Sequence, residues 1–159
     1  MEWQAQLTVV ATTAYAMVLG GVIGFERELK VRPAGFRTHM LVAGAAALLL
    51  GIGLLLLADP SVPDLKRVQI DPLRLLEAVV AGVAFIGAGT IFSARGRDAV
   101  AGITTAASLL MAAVIGAAAG LRYYWLALAA TLLALLVLAV LNVFEQRLKA
   151  AGKPPPNTH

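Results

Sequence analysis

The residues able to do chemistry gather in four short stretches. Glu26, Arg27 and Glu28 stand together, as do Arg37, Thr38 and His39; Asp98 follows Arg95 and Arg97, and Thr104 and Thr105 come soon after. Alternating carboxylates and guanidiniums can build an ion-pair network, in which Arg37 is expected to grip Glu26 or Glu28 through two parallel hydrogen bonds. Mg²⁺ wants octahedral oxygen and usually one or two carboxylates, whereas only Glu77 lies clearly within an apolar stretch, which counts against a dedicated carrier. His39 could act as a base, but no nucleophile stands at a spacing that would pair with it. No catalytic residue and no cofactor is therefore expected, with Mg²⁺ the one ligand left open. The absence of cysteine removes thiolate nucleophiles and thiolate metal sites together. A plainer reading of the same residues is that helix-end charges anchor at an interface while Ser and Thr bond to their own backbone.

Two further features need weighing. Glu77 lies inside an apolar stretch, where a carboxylate is a functional candidate by default, although Arg74, one turn before it, is placed to neutralise it at i, i+3. The run "AGVAFIGAGTIF", Ala81 to Phe92, carries Gly82, Gly87 and Gly89. It is not a dinucleotide turn: Phe92 stands where the third glycine belongs, and no acidic residue follows about 20 positions later. The glycines read instead as helix surface stripped of side chains.

The elements that must position these groups are membrane helices. The chain has 159 residues, 60% of them hydrophobic and only 14% charged, against about 25% charged in soluble domains. Apolar segments at Leu7–Phe25, Met40–Ala58, Leu73–Phe92, Val100–Gly120 and Trp125–Phe144 each approach the roughly 20 residues a spanning helix needs. An all-α bundle of five transmembrane helices is expected. The fourth segment is so rich in Ala and Gly that a re-entrant arrangement stays open for it. Residues 1–146 form the membrane domain, and residues 147–159 are expected to be a disordered cytoplasmic tail.

Charge sets the orientation. Of 13 Lys and Arg, nine (Arg27, Lys30, Arg32, Arg37, Arg95, Arg97, Arg147, Lys149, Lys153) fall on one side, and Lys66, Arg67, Arg74 and Arg122 on the other. The positive-inside rule then places the N-terminus outside and the C-terminus in the cytoplasm. Trp3, Tyr123, Tyr124 and Trp125 fall at the outer interface. A net charge of +4 that follows topology so closely gives no reason to expect nucleic acid. Small residues at four-residue spacing, Gly20 and Gly24 in the first span and Gly116 and Gly120 in the fourth, join Gly82, Gly87 and Gly89 as expected packing positions. Such faces would also serve self-association, with a symmetric homodimer the commonest form.

Three blocks, "GGVIGFERELKVRPAGFRTHMLV" (Gly20–Val42), "AGVAFIGAGTIF" and "VAGITTAASLLMAAVIGAAAG" (Val100–Gly120), together resemble the membrane domain of the MgtC/SapB family. Ala84 departs from the common Gly of that pattern and Leu110 from its frequent Trp. The resemblance implies a multi-pass protein of the bacterial inner membrane linked to magnesium homeostasis and, in some members, to virulence. It implies a non-enzymatic regulatory or accessory role through partners such as ATP synthase or other membrane proteins, the alternative being a transporter or channel for Mg²⁺ or another cation. The chain is expected to fall in the short, SapB-like branch lacking a C-terminal soluble domain. The polar positions that carry over are Glu26, Arg27, Glu28, Arg37, Thr38, His39, Thr104 and Thr105.

Overall fold

The computed structural model describes residues 3–59, 71–93 and 99–151. They form five helices and no strand: α1 (Trp3–Leu29), α2 (Phe36–Ala58), α3 (Pro72–Ser93), α4 (Ala99–Gly120) and α5 (Tyr124–Ala151). The first four contain stretches long and apolar enough to cross a membrane, and α5 carries a shorter one, Tyr124–Val140. The protein is a multi-pass helical membrane protein. The fourth segment, for which the sequence leaves a re-entrant arrangement open, forms one unbroken helix of 22 residues, about 33 Å long at 1.5 Å per residue.

The alanine and glycine content of α4 makes it the centre of the bundle. It packs against all four other helices, with Leu109, Ala112, Ala113, Ile115, Gly116, Ala117, Ala119 and Gly120 all buried. Between membrane helices, association rests on close backbone approach rather than on expulsion of water. Two glycines show how close. A Cβ on Gly120 would stand 2.6 Å from the Ala47 carbonyl oxygen, and one on Gly116, a turn earlier, would collide with the Ala43 carbonyl. From the other side, a Cβ on Gly20 would lie 2.7 Å from the Ala43 Cβ, and one on Gly24 would lie 2.8 Å from the Gly35 oxygen. So α2 is clasped between α1 and α4, and these four packing positions are intramolecular.

The third helix departs from expectation. Gly87 is buried, with Ala106 opposite it, but Gly82 and Gly89 face open space, and a Cβ on either would meet nothing within 4 Å. Helical periodicity is the reason. The side of α3 that lies against α4 and α2 carries Val79, Val83 and Gly87 at four-residue spacing, and that spacing turns Gly82 and Gly89 away from the bundle.

The turn from α1 to α2 brings the first two charged stretches together. Arg32 N–H donates to the Arg27 carbonyl (3.1 Å) and Val31 N–H to that of Glu28 (3.0 Å), closing α1 with a Schellman motif. Val31 occupies the left-handed position, at φ 52°. The first residue before α2, Gly35, has no side chain to cap the helix. Glu28 does so from the preceding helix: its Oε2 accepts from the Phe36 N–H at 2.8 Å. At the opposite end of the bundle the Tyr15 hydroxyl donates to the Tyr124 carbonyl (3.1 Å), and the two rings meet edge to face.

Candidate functional site

The last turn of α1, the first turn of α2 and the early turns of α4 converge on one buried polar chain. Arg27 is only 3% exposed, and its Nη2 donates to Thr105 Oγ1 at 3.3 Å. One turn further along α4, Ser108 Oγ lies 2.8 Å from the Thr105 carbonyl and 3.0 Å from His39 Nε2. The other ring nitrogen, Nδ1, is 2.9 Å from the Gly35 carbonyl. His39 and Thr105 are fully buried. Three helices are thus joined through side chains, Arg27 from α1, His39 from α2, Thr105 and Ser108 from α4.

Counting hydrogens orders this chain. A carbonyl only accepts, so the proton facing Gly35 belongs to His39 Nδ1. In a neutral imidazole Nε2 is then an acceptor. The single Ser108 hydroxyl hydrogen serves either Nε2 or the Thr105 carbonyl, one at a time. The arrangement is cationic and hydroxylic. Among the described residues the one ion pair is Glu26 with Lys30, one turn along α1, and Lys30 Nζ also donates to the Leu138 carbonyl of α5 at 3.3 Å. Arg27 has no carboxylate within ion-pair distance among those residues, and no three His, Asp or Glu among them converge as a metal site.

Of the residues marked from sequence, Arg27, His39 and Thr105 meet directly. Glu26 turns toward Lys30, and Glu28 caps α2. Thr38 and Thr104 are half-buried beside the polar chain's own positions, and Asp98 lies outside the described residues. Arg37 corrects the expectation: it is exposed and does not grip Glu26 or Glu28. Glu28 is committed to Phe36, and the first turn of α2 directs position 37 away from the α1–α4 interface while position 39 points into it. Glu77 is exposed on α3, and Arg74 does not pair with it. Ser108, which with Thr104 and Thr105 brings hydroxyls to the start of the fourth apolar segment, also enters the site. The available signal was its i, i+3 spacing from Thr105, which puts both on one helix face.

A profile described as the MgtC family matches residues 13–147. The chain is 35% identical over 136 residues to Protein SapB of Bacillus subtilis, covering 86% of this chain and 57% of that protein. It is 39% identical over 133 residues to a protein of Escherichia coli named Putative magnesium transporter YhiD, covering 84% and 60%. It is 36% identical over 149 residues to Protein MgtC of Brucella abortus, covering 94% and 58%. The chain therefore spans a little over half the length of these relatives. No solved structure matches it.

Proposed function

The chain belongs to the MgtC family, and from that premise we propose that it is a regulatory or accessory protein of magnesium homeostasis. It is non-enzymatic, resides in the bacterial inner membrane with α1 starting outside, and acts through a partner membrane protein. One observation carries this reading over a carrier: the buried polar centre presents a guanidinium, an imidazole and two hydroxyls. A dication seeking oxygen ligands and carboxylate charge would find beside that guanidinium only the Glu26 carboxylate, which is paired with Lys30. The packing beyond the centre supports the same conclusion. Backbone contacts of Gly20 and Gly116 with the His39–Ala43 turn close the α1–α2–α4 interface, and a cavity of about 90 Å³ lies at its far end, beside Thr8, Thr12 and Arg122.

The carrier is the second reading, favoured by 39% identity to a relative named as a putative magnesium transporter. Growth of a deletion strain at low Mg²⁺, together with Mg²⁺ flux into proteoliposomes, separates the two. Under the regulatory reading, Arg27→Lys abolishes growth rescue at normal membrane level, because an ammonium cannot reproduce the guanidinium's reach and planar fork. Exposed Arg37→Ala and Glu77→Gln leave rescue intact, and the purified protein gives no flux. Saturable Mg²⁺ flux that Glu77→Gln removes would establish the carrier instead.

A further inference from the structure

The turn from α1 to α2 holds more positive charge than its carboxylates balance. Arg27, Lys30, Arg32 and Arg37 stand there against Glu26 and Glu28, and both carboxylates are committed. Lys30 pairs with Glu26, and Glu28 accepts the Phe36 N–H. Arg27, Arg32 and Arg37 are left without an ion pair among the described residues. Arg37 is exposed, so water serves it. The other two are placed differently. Arg27 is only 3% exposed, and the one hydrogen bond its side chain makes among the described residues is that to Thr105. Its Nε is buried with no acceptor, and so is the Nε of Arg32. The turn folds the Arg32 backbone onto the Arg27 carbonyl, and Arg32 and Glu26 are the charges close enough to act on Arg27.

A buried charge without a counter-charge is costly, and a fold keeps one where something neutralises it. Water satisfies an orphaned N–H but brings no charge. The component missing from the turn is therefore an anion. The helices favour the same sign, because α2 and α4 both start at this end of the bundle, with the positive ends of their dipoles toward it. We infer that Arg27 and Arg32 together bind one phosphate group, which enters beside the half-buried Arg32. Neighbouring guanidiniums suit phosphate, whose several oxygens accept from two planar forks at once. Its unesterified oxygens take the two Nε–H groups that lack acceptors, and its charge offsets the guanidinium that no carboxylate reaches. Two sources carry this chemistry at a helix end: the phosphodiester of a phospholipid headgroup and a soluble phosphate in the adjoining water. The site rests on the proposed function only for which leaflet faces it.

Thermal unfolding of the purified chain tests this, in a neutral detergent with chloride buffer at constant ionic strength. Titration with dihexanoyl phosphatidylglycerol is expected to raise the midpoint saturably, as a ligand of the folded state does. Dihexanoylglycerol, which lacks the phosphate, is expected to leave it unchanged. A parallel titration with inorganic phosphate assigns the source: an equal rise points to soluble phosphate, a rise with the lipid alone to the headgroup. Arg27→Gln puts the fold itself at risk, so Arg32→Gln is the deciding variant. It is expected to keep the ligand-free midpoint, since no ion pair holds Arg32. Its half-saturating concentration should rise roughly tenfold to a hundredfold, the worth of a hydrogen bond to a charged group. Arg74→Gln, at the opposite end of the bundle, should titrate as the unaltered chain does. No rise with either phosphate, a rise that dihexanoylglycerol matches, or a titration unchanged by Arg32→Gln overturns the inference. Such a failure leaves the growth result expected for Arg27→Lys standing, because that rests on the bond to Thr105 alone.

Discussion

Adding one methyl group at Gly120 and one at Gly89 should move stability in opposite directions. In a helix interior, alanine is favoured over glycine by about 1 kcal/mol, so any net loss must come from packing. A Cβ at position 120 would sit 2.6 Å from the Ala47 carbonyl oxygen, and ordinary contact begins at 3.4 Å. The obstacle is backbone, which no rotamer change can remove. Relief requires α2 and α4 to part by the difference, about 0.8 Å, and a gap of that size forfeits a quarter to a half of each dispersion contact along the seam. Overpacking of this kind costs about 1–3 kcal/mol. After the helix-propensity gain, Gly120→Ala should destabilise by roughly 0–2 kcal/mol. At about 2–4 °C per kcal/mol for a domain of this size, its unfolding midpoint should fall, by up to several degrees, in a detergent that keeps the chain monomeric. Gly89→Ala meets nothing and should hold or raise the midpoint. Equal shifts for the two, or the reverse order, would refute the packing assignment of both glycines.

Glu28→Ala should lose about 1 kcal/mol, the usual worth of a helix cap, while Glu28→Gln keeps an oxygen for Phe36 N–H and loses less; thermal melts of the pair decide it. Ser108→Ala leaves the fully buried His39 Nε2 without its partner and should cost about 1–3 kcal/mol, read by the same melts. Val31→Gly should raise the midpoint, since a β-branched residue at φ 52° carries about 1–2 kcal/mol of left-handed strain that glycine does not; Val31→Ala should give no comparable rise. A topology reporter fused after Lys153 should read cytoplasmic, and one inserted between residues 60 and 70 should read external. The opposite result would invert the orientation drawn from the Lys and Arg distribution.

What the residues determined by themselves is what depends on local chain properties. A run of about 20 apolar residues must satisfy its backbone within itself, and in lipid that means a helix; the five expected segments Leu7–Phe25, Met40–Ala58, Leu73–Phe92, Val100–Gly120 and Trp125–Phe144 each lie within an observed helix. Pro33 and Gly35 end the first charged turn for equally local reasons. Arg27 and His39 could be marked as candidates because polar groups near a helix end draw notice wherever they point. Which arginine matters was settled only in three dimensions. Arg27 and Arg37 have the same side chain and both lie at helix ends, yet one enters the α1–α4 interface and the other leaves it. The glycines divide in the same way. In a soluble protein, the polar side of a helix announces which side is buried. In a membrane helix both sides are apolar, so the pattern that groups Gly82 with Gly89, and Gly116 with Gly120, carries no sign of which pair meets a neighbour. That sign comes from the crossing of α4 over Ala43 and Ala47, a contact between residues far apart in the chain.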